Sequence, residues 1–297
     1  MADLLNLLAE RKLLVSDGGW GSFLIAAGMQ PNECPERWNL DRPDQIRAIA
    51  AMYAEAGADL VMTNSFGGSS LKLAPYGLAD QAKAINEAAA RLTRESIGEG
   101  RVVLASMGPT GKLLMMGDVG ESEIYDSFAE QARALEAGGA DAIAVETMSA
   151  LDEAALGVRA VKENTGLTVV ASFTFNHHEE TGYRTMMGVT PEEMAAAMLA
   201  AGADVLGVNC TLCAGEMVAL AAAVRCAAPD TPLLVHPNAG QPQRKADGSV
   251  FYLETPEELA AQVPALAEAG ASIIGGCCGT GPDHIRAIRA AVERIHG

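Results

Sequence analysis

The sequence predicts an α/β chain closed as one (β/α)8 TIM barrel, a single domain over residues 1–297. Three observations lead there: a helix–strand joint that recurs four times, further apolar runs of strand length, and helical periodicity between them. The joint reads EAGADLVMTN at 55–64, EAGGADAIAVE at 136–146, AAGADVLGVN at 200–209 and EAGASIIGGC at 268–277. In each, an alanine-rich helix runs into glycine, which tolerates the left-handed conformation that ends a helix. An apolar run follows, as expected of a strand buried on both faces.

Four more apolar runs, Leu13–Ser16, Val102–Ser106, Leu167–Phe173 and Pro232–Val235, fill the gaps between the joints. Helical segments are predicted at Pro43–Ala56, Asp126–Ala137, Pro191–Ala201 and Pro256–Ala269. Several open on proline followed by acidic residues, which suits a helix N-terminus. Eight strands alternating with helices imply a parallel sheet, and a barrel closes it most economically. An open doubly wound sheet is the competing architecture. However, DGGWG at 17–21 has too few residues between its glycines for a dinucleotide-binding turn. No shift in composition marks a linker.

The formal net charge of −17 excludes nucleic acid and anionic membrane surfaces as the main partner. No apolar run reaches the ~18 residues of a spanning helix. The opening MADLLNLLAERKLL lacks a basic flank and an apolar signal region, so a cytoplasmic protein is expected. In that compartment cysteines are packing residues, metal ligands or reactive thiols rather than disulfides.

Barrel enzymes gather their chemistry at the C-terminal ends of the strands. Those ends carry Asp17, Thr63 with Asn64, Gly108, Glu146, Asn209 with Cys210, Asn238, and Cys277 with Cys278. Three thiols on one rim suit Zn2+, and three protein ligands leave a fourth position for water or substrate. Gly275, Gly276 and Gly279 are expected to let the chain leave strand geometry so that adjacent sulfurs turn towards one ion. Two other readings stay open: a closed four-cysteine site using Cys213 of CTLC, and dithiol redox chemistry. Cys34 and Cys226 read as ordinary packing residues. Asp17 in VSDGG and Glu146 in AVETM are either a turn residue and a helix cap or a pair that holds a cationic group. His177 and His178 belong on a solvated loop, His236 at a strand end, and His284 in the first turn of the last helix.

The motifs DGGWG (17–21), ADLVMTNSFGGS (58–69), MGPTG (107–111), VET (145–147), GVNC (207–210), PNAGQP (237–242) and GGCCGT (275–280) resemble the homocysteine S-methyltransferase family. The resemblance covers nearly the whole chain. It implies that Cys210, Cys277 and Cys278 are zinc thiolates, and that Asp17 and Glu146 hold the amino-acid part of homocysteine with backbone amides near Gly18. Thr63, Asn209 and Asn238, on the same mouth, are further candidate substrate-binding residues. Asn238 matches a residue able to take the fourth zinc position before substrate arrives, whereas Cys213 matches no ligand.

The implied reaction is attack of a zinc-held homocysteine thiolate on an activated methyl group, giving methionine. NSFGGS and PNAGQP are similar to the homocysteine-binding module of cobalamin-dependent methionine synthases, which implies methylcobalamin on a separate corrinoid protein as donor. Relatives that use betaine or S-methylmethionine set the alternative, an onium donor. Trp20, Trp38 and Tyr76 are candidate aromatic faces for it. Two further possibilities are another thiol as acceptor, and a non-catalytic zinc-stabilised partner of a corrinoid protein.

Overall fold

The structure, a computed structural model, describes residues 3–244 and 250–296. Eight parallel strands form the barrel: β1 (Leu14–Val15), β2 (Leu60–Met62), β3 (Val102–Met107), β4 (Ala142–Met148), β5 (Thr168–Phe173), β6 (Val205–Cys213), β7 (Leu233–Asn238) and β8 (Ile273–Ile274). Their order around the sheet is β1-β8-β7-β6-β5-β4-β3-β2. A bridge between Ser16 and Leu60 closes the ring, supported by Asp59 N donating to Val15 O at 2.7 Å.

Because both faces of every strand are covered, alternate residues enter separate cores. Leu14, Leu60, Met62, Val102, Leu104, Ala142, Ala144, Val170, Val205, Leu234 and Ile273 fill the barrel interior. Their neighbours Val15, Val61, Val103, Ala105, Ile143, Val145, Val169, Leu206, Val235 and Ile274 pack outward against the helices. A helix over Leu4–Arg11 sends Leu4 and Leu8 into the interior cluster and so covers the N-terminal end of the barrel. No helix among the described residues is long and apolar enough to cross a membrane.

The recurring joint has a second purpose that periodicity does not reveal. Its glycines adopt left-handed geometry as expected, with φ of 99° at Gly57, 96° at Gly139, 101° at Gly202 and 103° at Gly270. The polar residue two places later reaches back to the preceding strand. Asp59 accepts from Val15 N at 2.9 Å, Asp141 from Val103 N at 2.8 Å, and Asp204 from Val169 N at 2.8 Å. Ser272 makes the weaker equivalent with Leu233 N at 3.4 Å. Basic side chains neutralise the acids: Arg11 and Arg289 on Asp59, Arg94 on Asp141, Lys162 on Asp204.

Predicted and observed helices agree closely at Pro43–Glu55 and Pro191–Ala201. The helix expected from Asp126 begins earlier, at Glu121, with Glu121 and Glu123 in its first turn. The segment expected to run unbroken over Pro256–Ala269 is two helices, Pro256–Ala261 and Val263–Glu268. Pro264, which has no N–H to continue the first helix, explains the break. Two antiparallel ribbons, Asn176–His178 with Gly182–Arg184 and Gln243–Arg244 with Val250–Phe251, were not anticipated.

Asp59 is the most heavily used of these clamps, so Asp59→Ala leaves two guanidinium groups and one strand N–H short of a partner. The expected loss is on the order of 2–3 kcal/mol of unfolding free energy. The more exposed Asp204→Ala should lose less, and denaturant titration of both variants checks the order.

Candidate metal centre

The β8 strand ends at Ile274, so Cys277 and Cys278 lie in the loop beyond it rather than in strand geometry. That loop is stitched to its neighbours on both sides. Gly276 N donates to Asp17 O at 2.9 Å, Cys277 N to Pro237 O at 2.7 Å, and Ala239 N to Cys278 O at 2.9 Å. Thr280 turns back to donate its hydroxyl to Cys277 O at 2.7 Å.

The glycines act differently from one another. Gly279 has a positive φ of 82°, as a bend requires. Gly275 and Gly276 have no positive φ and are needed for close approach. A Cβ on Gly275 would lie 2.7 Å from Asp17 O, and one on Gly276 would collide with Thr280. The expectation that all three glycines free the backbone to bend is therefore corrected for two of them.

Cys210 reaches the same place by a different device. The β6 strand is irregular between Asn209 and Cys213, and Cys210 itself is left-handed with φ 65°. This is a conformation that a residue with a Cβ adopts only under constraint. The sulfurs of Cys210, Cys277 and Cys278 lie within 4.8 Å of one another, and those of Cys210 and Cys278 are 3.9 Å apart. Ligands about 2.3 Å from a tetrahedral zinc stand about 3.8 Å apart, so this donor set fits the ion. Hydrogen bonds from the Cys210 and Cys277 thiols, and from the Tyr252 hydroxyl, pull the Cys278 thiol well below its ordinary pKa. Cys213 stays outside this set, with its backbone N–H bonded to Glu216 at 2.9 Å and its thiol raised by burial.

Asp17 and Glu146 face the cluster across the mouth. Asp17 is fully buried and accepts from Trp20 Nε1 and from Met62 N, each at 2.9 Å. Burial still raises its pKa to about 7 despite these bonds. Glu146 accepts from the Ser106 hydroxyl. Burial raises its pKa to about 7, with the charges of Asp17 and Cys210 adding to the effect. Among the described residues no lysine or arginine forms an ion pair with either carboxylate.

The other expected residues lie around this mouth with their polar atoms engaged. Thr63 Oγ1 lies 2.5 Å from Ser65 Oγ and accepts from Ser106 N at 3.1 Å, which braces the serine under Glu146. Asn209 is bonded to Thr147 and Ser172. Asn238 Oδ1 accepts from Cys278 N at 3.1 Å. Gly18 is buried where a Cβ would meet Thr280 Oγ1 at 2.7 Å and Tyr53 Oη at 3.1 Å.

Ser106, Thr147, Ser172, Thr280 and Tyr252 were not singled out from the sequence. Ser106 and Ser172 were legible only as polar residues inside apolar strands, Thr147 and Thr280 only as the last residues of VET and GGCCGT, and Tyr252 gave no signal. Of the aromatic candidates, Trp38 is buried under Arg42, whose guanidinium lies 4.3 Å from its ring, so it offers no free face. His177 is on the exposed ribbon against Tyr183, and His284 bonds Gly281 N at 3.2 Å in the last helix. His236 is buried, and burial alone lowers its pKa to about 3.

Residues 14–292 match the homocysteine S-methyltransferase family. The chain is 36% identical over 314 aligned residues to a methionine synthase of Mycobacterium leprae, covering 99% of this chain and 25% of that protein. It is 37% identical over 318 to a methionine synthase of Mycobacterium tuberculosis, covering 99% of this chain and 26% of that protein. It therefore spans about a quarter of the length of these curated relatives. The fold is shared with the metallated form of the homocysteine methyltransferase MmuM from Escherichia coli. That match has a TM-score of 0.77 at 23% identity over 97% of this chain and 99% of the other. With the family's match running from the first barrel strand into the last helix, the chain belongs to the homocysteine S-methyltransferase family.

Proposed function

We propose that this barrel is a homocysteine-binding methyltransferase unit. It presents the homocysteine sulfur to a methyl donor, and the product is methionine. The observation that carries the reading is the convergence on one barrel mouth of three sulfurs and two carboxylates, Asp17 buried and Glu146 half-buried, neither in an ion pair among the described residues. An amino acid with a thiol supplies what each half lacks: an ammonium group for the carboxylates and a sulfur beside the cysteines.

Cys210, Cys277 and Cys278 would hold a zinc ion, with Asn238 beside Cys278 as the candidate for its remaining position. When bound, zinc supplies a Lewis acid that keeps a thiol near neutral pH as the thiolate, the nucleophilic form. Asp17 and Glu146 orient the amino acid by accepting from its ammonium group. The N–H groups on Asp17 and the Ser106 hydroxyl on Glu146 hold the two carboxylates in place. Positioning of sulfur and methyl group in line is the main contribution of the barrel walls. The methyl carbon gains its bond to sulfur as its bond to the donor breaks, with that electron pair leaving on the donor.

Methylcobalamin on a corrinoid protein is the preferred donor, on the likeness of NSFGGS and PNAGQP to the homocysteine-binding module of cobalamin-dependent methionine synthases. An onium donor such as betaine or S-methylmethionine is the alternative, and the burial of Trp38 removes one of the faces it would use.

Three measurements test these readings. Purified protein should carry stoichiometric zinc, and Cys278→Ser should lower both zinc content and homocysteine methylation, the latter at least about a hundredfold. Undiminished zinc and activity in that variant would remove Cys278 from the role.

The second test is pH. Both carboxylates are raised to about 7 and ionise more readily beside an ammonium group. Homocysteine binding should therefore release protons and weaken as pH falls below about 7. Without ligand the sign is opposite: the raised carboxylates favour the folded state below their unfolded pKa, and that contribution is lost as pH rises towards 7. Calorimetry in buffers of different ionisation enthalpy reads the proton release.

Third, a panel of methylcobalamin, betaine and S-methylmethionine with homocysteine should show turnover with methylcobalamin. Turnover with an onium donor alone would reverse the order.

A further inference from the structure

We infer that Asn209 is a positioning residue that ties Glu146 to Cys210, so that the amino-acid half and the metal half of the mouth are assembled together. The inference rests on the reading that Glu146 receives an ammonium group and Cys210 a zinc ion. Asn209 immediately precedes Cys210, and Thr147 immediately follows Glu146. The Asn209 amide uses both of its ends on this connection. Its Oδ1 accepts from Thr147 N at 3.1 Å and from Ser172 Oγ at 2.7 Å, while Nδ2 donates to Thr147 Oγ1 at 2.7 Å. The side chain is 1% exposed, so no water replaces a lost partner cheaply.

The connection spans strands that do not touch as neighbours. In the sheet β5 lies between β4 and β6, and Ser172 of β5 is the middle contact. Both outer strands break register here, between Val145 and Met148 in β4 and between Asn209 and Cys213 in β6. The backbone is left-handed on both sides, with φ of 58° at Thr147, 65° at Cys210 and 64° at Thr211. For β-branched threonine that geometry is a genuine outlier, and it persists only where surrounding contacts over-determine it. The Asn209 bonds are such contacts, joined by the Thr174–Thr211 hydroxyl pair at 2.7 Å.

A ligand that engages Glu146 therefore favours the irregular end of β4, which through Asn209 favours the backbone that aims Cys210. By reciprocity a cation on Cys210 orders Glu146. Direct repulsion between an ammonium group and a divalent cation works the other way and is unaffected by a neutral substitution at Asn209. The sign of the coupling thus separates the two.

The test measures Zn2+ affinity by chelator competition, with and without saturating L-2-aminobutyrate, which carries the amino-acid group and no sulfur. In the wild type the amino acid should tighten Zn2+ binding about fivefold or more. In Asn209→Ser and in Thr147→Val the gain should fall below about twofold. Thr147→Val keeps the branched shape and removes only the hydroxyl that Nδ2 bonds, so it carries the test if Asn209→Ser does not fold. Full coupling retained in the folded variants overturns the inference, as does a wild type that binds both ligands without coupling. A wild type that fails to bind Zn2+ or 2-aminobutyrate overturns the reading of the mouth itself, and is seen before any variant is made.

Discussion

Groups able to carry negative charge crowd one barrel mouth, and the described residues bring no cationic side chain into ion-pair contact with the two carboxylates among them. Burial disfavours the ionised form and raises Asp17 and Glu146 to about 7, and at Glu146 the charges of Asp17 and Cys210 add to it. The rest of the mouth reads as a response to that constraint. A backbone amide, an indole N–H and hydroxyls reach the carboxylates, and the three sulfurs gather within 4.8 Å of one another. Elsewhere in the barrel acids are handled in the opposite way: Asp59, Asp141 and the more exposed Asp204 at the other end each have a basic partner. The contrast separates acids clamped by basic side chains from two acids held only by neutral donors.

The mouth is also where the backbone departs from regular geometry, by two routes. At the β1–β8 seam the chains approach so closely that side chains are excluded: Gly275 and Gly276 pack against Asp17 O and Thr280. At β4 and β6 the side chains are kept and the backbone is forced left-handed instead, at Thr147, Cys210 and Thr211. Close packing without Cβ atoms brings Cys277 and Cys278 to the centre. Local strain held by buried hydrogen bonds brings Cys210 to them. Neither route would assemble the cluster alone, since the sulfurs come from strand ends separated by β7.

Much of the architecture was legible because it rests on local rules. The EAGAD-type joint announces a helix end and a following strand through glycine's conformational range, and the apolar runs announce strands covered on both faces. Strand ends then localised Asp17, Glu146, Cys210, Cys277 and Cys278 to one rim by topology alone. What stayed hidden depends on partners distant in sequence. Nothing near Asp59 in the chain indicates Arg289, and nothing near Asn209 indicates Thr147. The division of Pro256–Glu268 at Pro264 was, by contrast, a local signal that the reading passed over.

By itself the sequence determined the alternation of strands and helices, the residues at the strand ends and the family to which their motifs belong. The first two follow from backbone propensity, apolar periodicity and residue spacing, and the family follows from the resemblance of the motifs. Only the tertiary structure decided which polar atoms meet across the barrel. It set the glycine contacts that seat the vicinal cysteines, the exclusion of Cys213 from the sulfur cluster, and the buried amide between Glu146 and Cys210. The physical reason is that a hydrogen bond or a steric exclusion depends on distances of a few tenths of an ångström between strands. Those distances are set by how the whole barrel closes.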